Sequence, residues 1–324
     1  MKIDENVCWG IIGCGDVTEL KSGPAFQKVE DSSLVAVMRR NEEKVKDFAE
    51  RHHVKKWTTN ASEIINDKSI NAIYIATPPS THLQYALQVL KANKNVYLEK
   101  PMVLNSIEAK ILSDALKQSR SKLTIAHYRR VLPVFLTVKE LLESNVIGHV
   151  SLAEITIHQS KSANLIAKIA DNWRTNPTIS GGGYFHDIGP HQIDLMVHYF
   201  GEVDTIIAVD LEKNTVSNDV VKGFVQFKNG IQFKGNWDFN AEEDKDNCTI
   251  YGMKGTISFS FYGDEIIIFL KGKQERYQFK NPMHVQQPMI EKTVGYFLGK
   301  NVNPCSIHEA AVVTQIMDVF CGIN

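Results

Sequence analysis

The stretch VCWGIIGCGDVT, residues Val7–Thr18, joins a short apolar run to two closely spaced glycines. The run Val7–Ile12 predicts a buried β-strand, and the residues after the glycines are predicted to open a helix. Gly13 and Gly15 stand between the two, in a Gly-x-Gly-x-x-Thr pattern that ends at Thr18. Strand, tight turn and helix N-terminus form a site where backbone N–H groups and the helix dipole attract a pyrophosphate. The stretch therefore predicts a dinucleotide-binding unit, although Thr18 stands where such units carry glycine or alanine.

The first third of the chain continues this alternation of short strands and helical segments. Further buried strands are predicted at LVAVM, AIYIA, NVYLE and LTIAH, which are residues 34–38, 72–76, 95–99 and 123–127. Helical segments are predicted at 42–53, 81–92 and 106–118. Such alternation predicts an α/β domain with a doubly wound parallel sheet, which we place at residues 1–126.

The rest of the chain, residues 127–324, has a different pattern. Runs with period-two alternation follow one another with few helices between them, for example in DVVKGFVQFKNGIQFKGNWDF, and Asn229-Gly230 predicts a hairpin turn. Two helical segments are predicted near the end, at 287–298 and 307–320. This part is therefore predicted to be an α+β domain with a large open, mostly antiparallel sheet.

Composition and charge exclude several classes of protein. The chain has 324 residues, of which 43% are hydrophobic, and its 36 basic and 37 acidic side chains give a net charge of −1. This balance does not favour a nucleic-acid partner. No apolar run is long enough to span a bilayer, and the first residues do not resemble a signal peptide. Five scattered cysteines are typical of reduced thiols, so we expect a cytoplasmic protein.

The end of the second predicted strand bears on the choice of dinucleotide. An acidic residue there would bind a ribose 2′-hydroxyl, whereas arginine suits a 2′-phosphate. The sequence has Arg39 and Arg40 at this position. We therefore predict a preference for NADP over NAD; the alternative is that both arginines are ordinary solvated surface residues.

Two later strand ends also carry candidate residues, since ligands of open α/β sheets bind beyond the carboxyl ends of the strands. Thr77-Pro78-Pro79 follows one strand and Glu99-Lys100-Pro101 follows the next. A lysine at this edge is predicted to lie over the nicotinamide, where it could help move a proton or hold a substrate hydroxyl. The alternative is a surface lysine before a turn proline.

The segments GIIGCGDV, IATPPSTH, EKP and GGGYFHDIGPHQIDL, in this order and spacing, resemble the glucose–fructose oxidoreductase/inositol dehydrogenase/MocA family. The resemblance covers essentially the whole chain, including NWRTNP and the final PCSIHEAAVVTQIMD. It implies an amino-terminal Rossmann domain and a second domain whose open sheet often mediates oligomerisation, here as a homodimer or homotetramer. It also implies hydride transfer at a carbon–oxygen bond of a sugar, cyclitol or related polyol.

The resemblance further implies functions for single residues. Lys100 matches the lysine of the family's Glu-Lys-Pro motif, and Asp187 and His191 match an Asp-x-x-x-His pair used in substrate binding and proton transfer. Arg174 and Tyr128 fall where cofactor or substrate contacts are often found. The candidate catalytic residues are thus Lys100, His191 and Asp187, and the candidate substrate-binding residues are Tyr128, Asp187 and His191. The candidate cofactor-binding residues are Gly13, Gly15, Asp16, Val17, Arg39, Arg40, Thr77, Pro78, His82, Glu99, Lys100 and Arg174.

The stretch after Gly181–Gly183 supports this assignment independently. If it is helical, Asp187, His191, Asp194 and His198 fall on one stripe, and nearly everything off that stripe is apolar. A polar stripe on a buried helix must find partners, line a cleft or bind a ligand. Pro190 is then expected in the first turn, where no intrahelical N–H is needed.

Three interpretations of the stripe compete: a satisfied core network, a zinc site, and acid/base groups of an enzyme. Hydride transfer to a nicotinamide needs no metal, so we predict no metal site. We favour acid/base chemistry, in which His191 takes the hydroxyl proton and Asp187 orients or charges the His191 ring. Asp194 and His198 are then structural partners.

The sequence thus predicts an NADP(H)-dependent oxidoreductase of sugars or polyols, with the substrate between the two domains. Alternatives within the same family are a glycosidase that recycles a tightly held nicotinamide and an aromatic dihydrodiol dehydrogenase. A dinucleotide or sugar sensor without catalysis is the non-enzymatic alternative, which the intact Lys100 and the Asp187/His191 pair disfavour. We place substrate recognition partly in the segment 158–173.

Overall fold

A computed structural model describes residues 5–160, 173–209 and 219–323 of the chain. Most of the segment 158–173, to which the sequence assigned substrate recognition, lies outside the described residues. By their contacts the residues form two compact units. The first comprises the described residues within Met1–Tyr128 and Pro282–Ala311, and the second those within Arg129–Asn281 and Val312–Asn324.

The first unit is built on a six-stranded parallel sheet of order β3-β2-β1-β4-β5-β6. Its strands are β1 (Val7–Ile12), β2 (Ser32–Met38), β3 (Lys56–Thr58), β4 (Ala72–Ile75), β5 (Asn95–Leu98) and β6 (Leu123–Ile125). The helices between them are α1 (Glu42–Arg51), α2 (Ala61–Asn66), α3 (His82–Lys91) and α4 (Ser106–Gln118). All residues of β4 are buried, as in a sheet covered on both faces. The predicted doubly wound sheet is confirmed; the short β3 and α2 had no sequence prediction.

The second unit is built on an eight-stranded sheet of order β14-β13-β12-β11-β7-β10-β9-β8. Its strands are β7 (Val150–His158), β8 (Val203–Val209), β9 (Val220–Phe227), β10 (Gln232–Asp238), β11 (Lys245–Gly252), β12 (Gly255–Phe259), β13 (Glu265–Leu270) and β14 (Lys273–Gln278). The β7–β10 pair is parallel and the others are antiparallel. The predicted mostly antiparallel sheet is therefore confirmed, and β9 and β10 form the hairpin predicted at Asn229-Gly230.

Two helices, α5 (Pro133–Glu143) and α7 (Tyr184–Phe200), pack on one face of this second sheet. A one-turn helix, α6 (Pro177–Ser180), precedes α7. Phe185 of α7 contacts Trp237 of β10, with ring centroids 5.1 Å apart, and Gln192 accepts a hydrogen bond from the Trp237 indole. Phe135 of α5 packs edge-on against Phe259 of β12. The period-two pattern of the strands therefore places their apolar side chains under these helices.

The end of the chain belongs to both units. Helix α8 (Gln287–Phe297) lies in the first unit, and α9 (Ile307–Phe320) passes from the first unit into the second. The sequence assigned everything after residue 126 to the second domain, whereas the contacts of Pro282–Ala311 place this segment with the parallel sheet. The reason is that hydrogen bonds and apolar contacts made late in the chain are invisible to local patterning. None of the helices in the described part of the chain is long and apolar enough to cross a membrane.

Candidate functional site

The glycine turn after β1 lies against the end of β4. Gly13 has φ +96°, and a Cβ on it would come within 2.8 Å of the Thr77 backbone nitrogen, so glycine is required there. The backbone N–H groups of Gly13 and Cys14 both donate to the Met38 carbonyl at the end of β2. Three strand ends that carry candidate cofactor residues therefore meet at the carboxyl edge of the sheet.

Gly15 differs from Gly13 in what surrounds it. Among the described residues, the nearest atom that a Cβ at Gly15 would meet is the Gly13 carbonyl oxygen, at 4.0 Å. Protein packing therefore does not require glycine at position 15. A glycine that leaves open space on such a turn fits the close approach of a dinucleotide pyrophosphate to the backbone.

The helix predicted after the turn is irregular. Thr18–Ser22 is a π-helical turn and Gly23–Gln27 is a 3₁₀ helix. The Gly15 carbonyl accepts hydrogen bonds from both the backbone nitrogen and the hydroxyl of Thr18, at 2.9 and 2.6 Å. Thr18 is fully buried, and the π-helical winding begins at this residue, where the sequence departs from glycine or alanine. Asp16, at the beginning of this helical segment, is exposed, and Val17 is half-buried.

Arg39 and Arg40 have different surroundings. Arg39 is half-buried, and its Nη1 donates to the Cys14 carbonyl in the glycine turn at 3.1 Å. Arg40 is exposed. The structure thus brings Arg39, but not Arg40, into hydrogen-bonding contact with the turn.

His82 connects two of the candidate loops. Its Nε2 lies 2.8 Å from the Thr77 carbonyl oxygen, and its Nδ1 lies 3.0 Å from that of Pro101. Burial lowers the pKa of His82, opposed by backbone hydrogen bonding, so the ring is neutral at pH 7. A neutral imidazole has a single N–H, so it donates to one of these two carbonyls and only contacts the other. The ring lies between the Thr77-Pro78 turn and the Glu99-Lys100-Pro101 turn.

The Glu99-Lys100-Pro101 turn is held from inside the unit. Glu99 is buried, and its carboxylate accepts hydrogen bonds from the Tyr74 hydroxyl at 2.5 Å and from the Gln286 amide at 2.6 Å. Its other oxygen accepts from the backbone N–H of Lys100 at 3.1 Å. Lys100 is half-buried, and the Lys100–Pro101 peptide is cis. The sequence did not indicate Gln286, which is 187 residues away along the chain from Glu99.

In the second unit, α7 confirms the predicted helix and corrects one detail. Gly181 and Gly183, at its entry, have φ of +96° and +80°. The helix begins at Tyr184, so Pro190 lies in its second turn, and the expectation of a first-turn proline was wrong. A missing intrahelical hydrogen bond and ring clash cost about 3 kcal/mol, which extensive burial of the helix offsets. Gly189 is needed here because a Cβ would come within 2.6 Å of the Phe185 ring.

The polar residues of α7 have distinct partners. Asp187 is bound by Arg174, with Nε to Oδ2 at 2.8 Å, and both side chains are about one-fifth exposed (23% and 17%). Arg174 also lies over the Trp173 ring, and its Nη1 has no hydrogen-bond partner among the described residues. His191 is buried. The structure therefore places Arg174, predicted as a cofactor residue, on Asp187.

Further along α7, the pairing is structural. Arg130 donates to both oxygens of Asp194, with Nη2 to Oδ1 at 2.7 Å, and both side chains are only 1% exposed. His198 lies 3.1 Å from Lys139 of α5. Arg130 was not identified from the sequence, where the available indication was an Arg-Arg pair in an otherwise apolar segment.

His186, directly before Asp187, is a further buried polar group. Its ring is removed from water, and a backbone contact with Gly182 compensates for this only in part. Burial lowers its pKa to about 4. The helix is therefore more polar near its start than the stripe alone indicated.

The remaining predictions concern a metal site and Tyr128. No three His, Cys, Asp or Glu side chains within 5–160, 173–209 and 219–323 are grouped so that they could hold a metal ion. Tyr128, the remaining candidate substrate residue, is buried in a short 3₁₀ turn, Tyr128–Val131.

Comparisons with known proteins agree with this architecture. Residues 7–127 match the family model of an oxidoreductase family with an NAD-binding Rossmann fold, and residues 135–258 match the GFO/IDH/MocA C-terminal domain. Oxidoreductase P35 of Formosa agariphila is 64% identical over 320 residues, 99% of this chain and all of that protein. The scyllo-inositol 2-dehydrogenase (NADP(+)) of Bacillus subtilis is 28% identical over 200 residues, 61% of this chain and 53% of that protein.

A solved structure shares the fold over nearly the full length. Levoglucosan dehydrogenase, in complex with NADH and levoglucosan, superposes with a TM-score of 0.85. The match covers 98% of this chain and 97% of that one at 22% identity. At this level of identity the likeness shows the fold alone.

Proposed function

The chain belongs to the glucose–fructose oxidoreductase/inositol dehydrogenase/MocA family of oxidoreductases, and we propose that it transfers hydride at a carbon–oxygen bond of a sugar, cyclitol or related polyol, using NADP(H). The observation that carries this proposal is the carboxyl edge of the parallel sheet. There the glycine turn, the Thr77-Pro78 turn and the turn of Lys100 are linked by direct contacts of Gly13 and His82. The substrates named for the relatives levoglucosan dehydrogenase and D-xylose 1-dehydrogenase (NADP(+)) support the substrate class.

A bound nicotinamide dinucleotide supplies the hydride acceptor or donor. Residues of this chain would hold it at the glycine turn, where the space at Gly15 admits a pyrophosphate, and at Arg39. The buried Glu99 carboxylate keeps the Lys100 backbone in place, so that the lysine side chain can hold a substrate hydroxyl. A lysine beside the reacting hydroxyl also stabilises negative charge that develops on oxygen as the proton leaves.

We assign proton transfer to His191 and its orientation to Asp187. Asp187 is already bound by Arg174, so its carboxylate acts as a fixed anion rather than as the proton acceptor. His191 follows one helical turn later on the same face of α7. A histidine is suited to accept and return a proton near neutral pH.

Replacing Lys100 by Met tests the proposal most directly. Loss of a general acid/base or oxyanion-stabilising group is expected to lower kcat by roughly 10²–10⁴-fold. The dissociation constant for NADPH, measured by fluorescence titration, is expected to stay nearly unchanged. The matched control is Lys91→Met, at an exposed lysine of α3. Substantial turnover by Lys100→Met would refute the assignment.

The substrate class is tested by incubating the protein with a panel of sugars, cyclitols and aromatic diols and following the NADPH absorbance. Net formation of NADPH with a sugar or cyclitol supports the proposal. Turnover of a glycoside without net NADPH change would indicate the cofactor-recycling glycosidase, and oxidation of diols alone would indicate the dihydrodiol dehydrogenase. Dinucleotide binding without any turnover would indicate a sensor.

The preference for NADP is tested at the two arginines. Arg39 is tied to the glycine turn and has further N–H donors for a 2′-phosphate, whereas Arg40 is exposed. Arg39→Asp is expected to weaken NADPH binding by about tenfold or more, in line with the loss of a charge-assisted contact. Arg40→Asp is expected to change it much less. Equal binding of NADH and NADPH by the unaltered protein would overturn the preference.

Oligomerisation through the second sheet is also part of the proposal. The face opposite α7 carries partly exposed apolar side chains, among them Ile207 of β8 and Phe269 of β13, each 49% exposed. Apolar side chains in the open face of a sheet favour contact with a second copy, giving a homodimer or homotetramer. Light scattering coupled to size-exclusion chromatography measures this; a monomer at micromolar concentration would contradict it.

A further inference from the structure

A short segment late in the chain, His284–Gln286, lies against the turn that follows the glycine pair. The Nδ1 of His284 lies 2.7 Å from the Leu20 carbonyl oxygen, and the backbone N–H of Gln286 donates to the Lys21 carbonyl at 3.1 Å. His284 Nε2 lies 2.6 Å from the Lys28 ammonium, which must donate to it. The segment is therefore anchored through both ring nitrogens of His284.

The side chain of Gln286 connects this segment to the buried Glu99. Gln286 is fully buried, its Nε2 donates to Glu99 Oε1 at 2.6 Å, and its Oε1 accepts from the Tyr97 hydroxyl at 3.1 Å. The amide thus has a defined orientation, because the tyrosine requires the oxygen on one side and the carboxylate requires the nitrogen on the other. A buried amide that donates to a carboxylate forms a charge-assisted hydrogen bond, which is stronger than a neutral one.

The network ends at the backbone of Lys100. Tyr74 and Gln286 both donate to Glu99 Oε1, while Glu99 Oε2 accepts the Lys100 N–H. Rotation of the Glu99 carboxylate would therefore break its contact with the backbone that carries the lysine. In a buried network, each hydrogen bond depends on the others.

We infer that Gln286 is a positioning residue for Lys100: it fixes the rotamer of Glu99, and Glu99 fixes the backbone of the Glu-Lys-Pro turn. The inference rests on the proposed function of Lys100, and Gln286 acts through Glu99 without touching the reacting atoms. The segment 284–286 thereby contacts both the π-helical turn, through Leu20 and Lys21, and Glu99 of the lysine turn.

Two substitutions distinguish a function of Gln286 in positioning Glu99 from a function in packing alone. Gln286→Met keeps the size of the side chain and removes both hydrogen bonds. Gln286→Glu can mimic the amide when protonated, donating to Glu99 and accepting from Tyr97, but places two carboxylates in contact when ionised. Within the unit, the titratable groups that face Glu99 and the side chain at position 286 are Tyr74, Tyr97 and His82. Cys305 and Tyr128 lie next to Tyr97.

The matched control is Asn71→Leu, at another partly enclosed amide of the same unit. Asn71 accepts from the Cys8 N–H at 2.8 Å and donates to the Asn6 carbonyl at 3.0 Å, at the opposite, amino-terminal edge of the sheet. The variant Asn71→Leu therefore loses a comparable pair of hydrogen bonds without disturbing Glu99. Its melting temperature is expected to fall while its kcat is retained.

The first measurement needs no substrate. With ¹⁵N-lysine labelling, the amide signal of Lys100 is identified by its absence in Lys100→Arg. In Gln286→Met this signal is expected to move upfield, since its hydrogen bond to Glu99 weakens, and in Asn71→Leu it is expected to stay in place. An unmoved signal in Gln286→Met overturns the inference whether or not the protein turns over any sugar, whereas the absence of turnover by the unaltered protein counts against the proposed function alone.

The second measurement uses kcat and KM. Gln286→Met is expected to lower kcat about tenfold with little change in KM, equivalent to about 1.4 kcal/mol. For Gln286→Glu, the ratio of its kcat to that of the unaltered protein is expected to fall steadily as pH rises, a dependence that a purely structural defect would not produce. If Gln286→Met fails to fold, Tyr97→Phe removes the hydrogen bond that orients the amide and is expected to act in the same direction. A kcat unchanged in both Gln286→Met and Tyr97→Phe contradicts the inference.

Discussion

Two aspartates of helix α7 are each paired with an arginine from another element, and the two pairs have opposite environments. Asp187 and Arg174 meet in the first turn with about one-fifth of each side chain exposed, whereas Asp194 and Arg130 are almost completely buried. The first pair can meet a ligand, and the second cannot without unfolding its surroundings. Burial, rather than residue type or helical register, therefore separates a candidate reaction site from a structural support.

Substitutions at His191 and Asp187 are expected to have the largest effect, and on catalysis. His191→Asn should lower kcat by roughly 10²–10⁴-fold, because it removes the group that takes the hydroxyl proton. Asp187→Asn should lower kcat less and keep the ionisation in the pH–rate profile that His191→Asn abolishes. Stopped-flow measurement of NADPH formation from pH 5 to 9 checks both. If the ionisation survives in His191→Asn and disappears in Asp187→Asn, the two assignments must be exchanged.

Breaking the buried pair is expected to affect stability instead. Arg130→Met removes the guanidinium from the buried Asp194 carboxylate, which should cost about 3–5 kcal/mol in the free energy of unfolding. The matched variant Arg174→Met, at the partly exposed pair, should cost about 1 kcal/mol or less. Urea denaturation at pH 7 measures both. Equal losses at the two sites would contradict the contrast between the pairs.

The double replacement Arg130→Met with Asp194→Leu sharpens this test. Removing both charges leaves no unpaired buried ion, so the double variant is expected to be more stable than Arg130→Met alone. A double-mutant cycle gives the coupling between the two residues. Coupling near zero would mean that packing, not the ion pair, stabilises this part of α7.

His186 provides a test within the first turn itself, with an effect that is small at pH 7 and grows as pH falls. Burial lowers its pKa to about 4, below the value of about 6.5 in the unfolded chain. The folded state therefore binds fewer protons between these values, and the stability present above pH 6.5 is lost as pH falls toward 4. The loss from His186 is about 3 kcal/mol at pH 4.

The contribution of His186 to the free energy of unfolding is measured as a difference between a variant and the unaltered protein, because other groups also titrate. His186→Leu removes it, so the unfolding free energies of the variant and the unaltered protein should diverge in favour of the variant as pH falls from 7 to 4. Parallel curves would show that the imidazole gains a partner and is not the buried neutral group described above.

Much of the fold follows from local patterns. Strand β1 and helix α4 have the bounds that their apolar periodicity predicts, and Gly13 and Gly230 adopt the positive φ that their turns require. The irregular winding at Thr18 and the second-turn position of Pro190 were not predictable in this way. Both depend on side-chain contacts, of Thr18 with Gly15 and of the buried helix with its sheet, that override local propensity.

Candidate site residues could be predicted from the sequence where they stand in a short motif. Lys100, Asp187 and His191 stand in such motifs, and their assigned functions stay predictions until the variants are measured. Gln286 could not be found from sequence, because a buried glutamine has no motif and its partner Glu99 is 187 residues away. Arg130 was missed for the same reason: its partner Asp194 is distant along the chain.

The sequence alone determined the two fold classes, the glycine turn and the family, because strand and helix periods and short motifs are local properties of the chain. The tertiary structure decided which of two arginines meets the glycine turn, which of two acids on α7 is accessible, and which late segment supports the Lys100 turn. These outcomes depend on burial and on contacts between residues far apart in sequence, and both arise only when the chain is folded.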